Sequence, residues 1–238
     1  MRTAYTVFRN LYNVRKMTMK LVLASGSQRR RELLTMCGYD YEIIVSNADE
    51  TIDENDPESF VRALSFRKAK EVFDRLFAAG RRDFAVIGSD TVVAFQKEGE
   101  AKPVIIGKPK DAKDAVRILS MLSGKTHRVF TGVSVIADIS DENAAAQCSI
   151  REKAEIQTEC SITEVTFETL SPDEIADYVN SGDPLDKAGS YGIQGPFGMF
   201  VREIRGNYFT VIGMPIPVLY KMLKKIGILP HGFYERIE

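Results

Sequence analysis

Residues 20–34 read KLVLASGSQRRRELL. An apolar run over 21–24 stops at Ser25-Gly26-Ser27, and Glu32-Leu33-Leu34 reads as the first core-facing turn of a helix. A strand feeding a helix through three small residues is a unit of mixed α/β architecture. The arginines between them, Arg29, Arg30 and Arg31, are the unusual part. A helix N-terminus carries partial positive charge, so each cation there costs about 0.3–1 kcal/mol. Two readings stand. The arginines reach outward to acidic partners. Alternatively, Ser25, Gly26 and Ser27 let the backbone approach a phosphate, the helix N–H groups donate to it, and the Arg29 and Arg30 forks hold its oxygens.

The rest of the chain mixes both kinds of element. Strands are predicted over 20–24, 41–45, 84–87, 91–95, 129–137 and 162–169, the last with period-two alternation. Helices are predicted over 57–79, 110–122 and 215–226, and one to residue 179 from the capping box Ser171-Pro172-Asp173-Glu174. Segment 181–200 is glycine-rich and loop-like; 140–151 is polar and alanine-rich, an exposed loop or short helix. Residues 201–204 and 208–212 flank Arg205-Gly206-Asn207 and predict a hairpin.

Composition excludes several classes. With 32 basic and 33 acidic residues the formal charge is −1, so bulk attraction to nucleic acid or an anionic membrane is not indicated, and any anion site must be local. Two histidines (His127, His231) and three scattered cysteines (Cys37, Cys148, Cys160) make neither a zinc cluster nor a disulfide framework, and fit a reducing compartment. No apolar stretch reaches the roughly 18 residues of a membrane span. Residues 1–19 are arginine-rich and acid-free, faintly like a mitochondrial transit peptide, or simply an extension before the first strand.

Other groups suit polyphosphate chemistry. Asp49-Glu50 follows a predicted strand at the mouth of a cleft. Asp90 lies in Ile87-Gly88-Ser89-Asp90-Thr91, a predicted strand-to-strand kink; an acid among apolar residues is costly unless paired or bound to metal. Lys108 sits between Gly107 and Pro109. Carboxylates suit a hard cation, and lysines and arginines suit phosphate, although each residue taken singly also reads as a surface ion pair. Ser123-Gly124-Lys125-Thr126 is not a P-loop, because Leu119 stands where the first glycine should and a helix precedes it. The glycines at 189, 192, 195 and 198 do not make a dinucleotide fingerprint, but Gln194 among them could read a base edge.

LASGSQRRRELL, Asp49-Glu50, RKAK at 67–70, GSDTVV, GKP, LSGKTHRVFTGVSV and DPLDKAGSYGIQG together resemble the Maf family of nucleotide pyrophosphatases, in the same order from about residue 20 to 226. In detail they resemble its dTTP/UTP branch. The resemblance implies an inosine-triphosphatase-like α/β fold: an elongated mixed β-sheet flanked by helices, in two lobes with a nucleotide-binding cleft between them. It implies one domain over 20–230, with 1–19 an extension and 231–238 a tail. It implies metal-assisted hydrolysis of dTTP, UTP and related pyrimidine triphosphates to the monophosphate and diphosphate. Asp90 matches the family's catalytic acid, as proton acceptor or metal ligand, and Glu50 the second carboxylate at a Mg²⁺ or Mn²⁺ ion. Ser25, Arg30, Lys68 and Lys108 match triphosphate-site residues; Arg29, Thr91 and Gln194 match positions linked to pyrimidine choice. Gln28 stands where the family often has proline.

The expected partner is thus a free nucleoside triphosphate, with neither nucleic acid nor membrane, in a cytoplasmic protein that could be a homodimer. The rival class is a nucleotide-sensing regulator of septum formation with little turnover, since Maf-like proteins are also associated with cell-division arrest. An intact carboxylate pair favours turnover.

Overall fold

A computed structural model describes residues 19–100, 102–139 and 154–231. The expected extension through residue 18, the tail from 232, and the polar segment 140–151 with Cys148 lie outside the described residues.

One seven-stranded mixed sheet carries the molecule, flanked by helices. Its elements in chain order are β1 (Lys20–Leu23), α1 (Gln28–Met36), β2 (Tyr41–Ile43), α2 (Pro57–Ala78), β3 (Phe84–Phe95), β4 (Val104–Ile106), α3 (Ala112–Leu122), β5 (Thr126–Asp138), β6 (Ala154–Phe167), α4 (Pro172–Asn180), β7 (Val201–Arg205), α5 (Tyr208–Ile212) and α6 (Ile216–Lys225). Three short 3₁₀ turns, beginning at Asp183, Ala188 and Pro196, fill the stretch between α4 and β7. The strand order is β2-β1-β3-β5-β6-β7, with β4 added to β3; β1 runs parallel to β2 and β3, and the other pairings are antiparallel.

Helix starts follow local chemistry. Asp56 caps α2 by accepting from Ser59 N, with Pro57 in the first turn. Asp111 caps α3 through Asp114 N, and Ser171 and Glu174 form the reciprocal capping box of α4.

α2 lies close on the sheet because the sheet is bare beneath it. A Cβ on Gly88 would stand 2.1 Å from Ser65 O, and one on Gly132 2.2 Å from Val61 O. Only glycine admits the helix backbone at that distance. Val61, Leu64, Ala69 and Val72 are buried on this face. On the other face Ile87, Val133 and Val135 pack with Leu219, Met222 and Leu223 of α6.

Two expectations are corrected. The predicted kink at residues 88–90 does not exist: β3 is one twelve-residue strand, continuous through Gly88, Ser89 and Asp90. What changes there is its neighbour. β1 pairs with Phe84 to Ile87, β4 with Val93 to Phe95, and no described strand lies along that edge between them. The polar residues thus mark a gap in the sheet, not a bend in the chain. The predicted hairpin at 201–212 is also absent. β7 forms, but Tyr208–Ile212 is the short helix α5, because Asn207 accepts from Thr210 N as its N-cap and Gly213, at φ +110°, ends it. β4 had no sequence prediction, and β5 and β6 begin earlier than predicted.

Candidate active site

A cleft of about 1120 Å³ opens at the gap in β3's pairing. All ten residues singled out from the sequence line it: Ser25, Ser27, Arg29, Arg30, Glu50, Lys68, Asp90, Thr91, Lys108 and Gln194.

α1 begins on the cleft. Its N-cap residue, Ser27, is extended and makes no side-chain cap hydrogen bond, and no acid stands in the first turn. The helix start therefore keeps its positive character toward the cleft. The three arginines divide the work. Arg30 is half-buried: its Nε donates to Gly213 O at 2.9 Å, Nη1 to Ser25 Oγ at 3.0 Å and Nη2 to Thr91 Oγ1 at 3.4 Å. Burial lowers its pKa from the ordinary arginine value, opposed by the charge of Asp90. It remains a cation, as arginines do. Arg31 folds back to Gly26 O at 2.7 Å and braces the small-residue loop. Arg29 crosses the cleft to Asp186 Oδ2 at 3.4 Å. The reading of outward arginines on acidic partners thus holds only for Arg29, which meets Asp186; Arg31 turns back to backbone, and Arg30 is a built-in cleft cation.

Gly213 O also accepts from Ser89 Oγ at 3.0 Å, so the end of α5 fixes both β3 and Arg30. Thr91 Oγ1 lies 3.0 Å from Thr131 Oγ1, whose hydroxyl donates to Thr210 O at 2.7 Å.

The carboxylates meet on the α2 side. Lys68 Nζ is 2.8 Å from Asp90 Oδ1 and 3.0 Å from Glu50 Oε1; the Lys68 and Asp90 side chains are 12% and 11% exposed, Glu50 66%. The loop bearing Glu50 is tied to α2 by Arg67, which donates to Asp49 O and Thr51 O, both at 2.8 Å. Arg67 stands in the quoted RKAK segment, yet nothing in the pattern showed it as the anchor of that loop. Lys108 follows β4, and its neighbour Gly107 accepts at O from Gly189 N at 3.0 Å. Gln194 is exposed on a turn closed by Gly195 N to Gly192 O at 3.2 Å.

Sequence reasoning gave no role to three further lining residues, Asp183, Asp186 and Lys187. Lys187 Nζ contacts both acids, at 3.0 Å and 2.7 Å. Burial pushes the Asp186 carboxyl up, but Lys187 and Arg29 outweigh it and hold it below the usual range. The available signal was the charge pattern of Asp-Pro-Leu-Asp-Lys, with Asp183 and Lys187 one helical turn apart.

The lining carries five cations (Arg29, Arg30, Lys68, Lys108, Lys187) against five acids (Glu32, Glu50, Asp90, Asp183, Asp186). A polyphosphate would meet no net positive charge unless a further cation came with it. Among the described residues no group of three or more His, Cys, Asp or Glu converges, and no helix is long and apolar enough to cross a membrane.

Comparison with known proteins finds relatives along most of the chain. A dTTP/UTP pyrophosphatase of Agathobacter rectalis is 40% identical over 217 residues, covering 88% of this chain and 98% of its own length. One from Bacillus thuringiensis subsp. konkukian is 42% identical over 210 residues, covering 88% of this chain and 96% of its own. Among solved structures, the Staphylococcus aureus Ham1 protein matches 87% of this chain and 98% of its own at a TM-score of 0.44 and 13% identity. Residues 20–226 match the Maf-like protein family along nearly the whole described chain, and the chain belongs to that family.

Proposed function

We propose that this protein is a pyrophosphatase of nucleoside triphosphates, hydrolysing dTTP and UTP to the monophosphate and diphosphate. The observation that carries this is the joining, in one cleft, of an uncapped helix start with Arg30 and a Lys68-bridged pair of carboxylates. Two relatives, each aligned over 88% of this chain, bear the name of that activity.

Ser25, Ser27, Arg30 and the start of α1 take phosphate oxygens, where backbone and guanidinium donors suit them. Lys68 and Lys108 neutralise the remaining polyphosphate charge. Asp90 accepts the proton of the water that attacks the α-phosphorus, and diphosphate leaves. Arg29, Thr91 and Gln194 meet the pyrimidine base.

The donor set fits a divalent ion. Glu50 Oε1 and Asp90 Oδ1 converge on one point, now the Lys68 ammonium, and Mg²⁺ takes one or two carboxylates with substrate phosphates completing its shell. Glu50 and Asp90 would hold Mg²⁺ or Mn²⁺, which when bound supplies charge neutralisation at the phosphates and a lowered water pKa. On this reading the partner is a free nucleotide rather than nucleic acid, and the compartment is the cytoplasm. The test is diphosphate release from a panel of triphosphates with Mg²⁺ and with chelator. Release from dTTP and UTP ahead of purine triphosphates is expected; none from either pyrimidine rejects the proposal.

A further inference from the structure

On the wall of the cleft facing α1, one chain of contacts runs from Arg29 to the turn that bears Gln194. Its hub is Lys187, whose ammonium is nearly buried and donates to Asp183 O at 2.6 Å, Asp183 Oδ1 at 3.0 Å and Asp186 Oδ1 at 2.7 Å. An ammonium has three protons, so Lys187 keeps none for a phosphate. Each acid then meets another partner with its second oxygen. Asp186 Oδ2 accepts from Arg29 Nη1 at 3.4 Å. Asp183 Oδ2 accepts from the Tyr178 hydroxyl at 2.5 Å, and that hydroxyl accepts from Gly192 N at 3.1 Å. The lysine stem also runs beneath Gly192, where an added Cβ would come 2.7 Å from Lys187 Cε. Gly192 begins the turn that carries Gln194.

Two cations are thus balanced against two carboxylates, and the set joins α1 to a loop more than 150 residues away in the chain. Holding the fold together does not account for the Asp186–Arg29 contact. Asp186 is 67% exposed and Arg29 31%, and an ion pair so open to water adds little stability. What the contact does is bias where the guanidinium rests. A free arginine side chain samples many rotamers; one nitrogen held by Asp186 leaves the fork aimed along the cleft, on the same frame that sets the Gln194 turn.

We propose that Asp186 is a positioning residue for base choice: clamped by Lys187, it orients Arg29 and locks it in register with Gln194. This rests on the reading that the cleft hydrolyses pyrimidine triphosphates and that Arg29 meets the base.

A double-mutant cycle tests it, with diphosphate release from UTP and from GTP as the readout. Wild type, Asp186→Asn, Arg29→Ala and the double variant are compared by the ratio of kcat/KM for UTP over GTP. Asp186→Asn should lower that ratio about threefold, mainly by raising KM for UTP, because a contact shared by ground and transition states is lost. The double variant should have the ratio of Arg29→Ala alone, since Asp186 acts through that side chain. Asp186→Glu, which keeps the charge, should recover part of the loss. A wild-type preference for UTP with an unchanged ratio in Asp186→Asn overturns this proposal alone. So does a double variant whose loss is the product of the single losses. A wild type that does not prefer UTP overturns it together with the reading beneath it.

Discussion

The Lys68 ammonium bridges Glu50 and Asp90, 3.0 Å from the first and 2.8 Å from the second. Removing it leaves Asp90, almost buried in β3, facing another acid. Breaking a nearly buried pair from one side costs about 3 kcal/mol. Lys68→Met should therefore unfold at lower urea in chelator, and Mg²⁺ should restore more stability to the variant than it adds to wild type. Equal midpoints for variant and wild type in chelator would contradict the bridge.

Asp90→Asn keeps the shape of the side chain and removes its basicity. If Asp90 takes the proton of the attacking water, kcat for diphosphate release from dTTP should fall on the order of 10²-fold or more, with KM changed far less. Near-normal turnover removes Asp90 from the chemistry.

Gln194→Ala bears on selectivity. It should lower kcat/KM for UTP more than for GTP, because a site built to pair with one base rejects another through its unpaired polar groups. Equal losses on both substrates exclude base reading by this side chain.

Gly88→Ala tests the packing that brings α2 to β3. The new Cβ would meet Ser65 O at 2.1 Å and Ala69 N at 2.7 Å, so the helix must retreat and carry Lys68 away from Asp90. The expected cost is at least the roughly 1–3 kcal/mol of an overpacked core, seen as a lower melting temperature, with activity lost below the melt.

His127 should make the fold acid-sensitive. It is buried, its Nε2 lies 3.0 Å from the Tyr191 hydroxyl, and burial lowers its pKa from 6.5 to about 3. The unfolded chain takes up a proton near pH 6.5 that the folded one refuses until about pH 3. Stability from this residue is thus whole above pH 6.5 and declines as pH falls toward 3, by about 2 kcal/mol at pH 5. Urea midpoints from pH 7 to 4.5 should show this slope, and His127→Gln should flatten it.

Much of this was legible because the signals are local. The Ser171–Glu174 box marks a helix start within four residues of chain and forms as expected, and Asp56 and Asp111 cap α2 and α3 by the same local chemistry. The ten candidate side chains likewise share one cleft; Lys68, inside α2, and Thr91, inside β3, were reached only through the resemblance of their segments. What failed depended on distant partners. Gly88-Ser89-Asp90 looks like a break because polarity interrupts an apolar run, yet β5 pairs with it throughout. Tyr208–Ile212 has the β-branched and aromatic character of a strand; its helix is held by Asn207, by Thr210 O accepting from Thr131, and by Gly213. Arg67 and the Asp186–Arg29 contact act across the fold, which no local pattern displays, whereas the pairing of Lys187 with Asp183 and Asp186 is local and was open to a reading of charge spacing.

The interruption between β1 and β4 leaves a short piece of strand margin open. An open sheet margin invites another chain to add as a strand. Here the open stretch runs only from Gly88 to Val92, about 16 Å at strand rise, and is stoppered by a strand at each end. An invading polypeptide would find too few rungs to climb before colliding with β1 or β4. A small anion meets no such obstacle at this aperture.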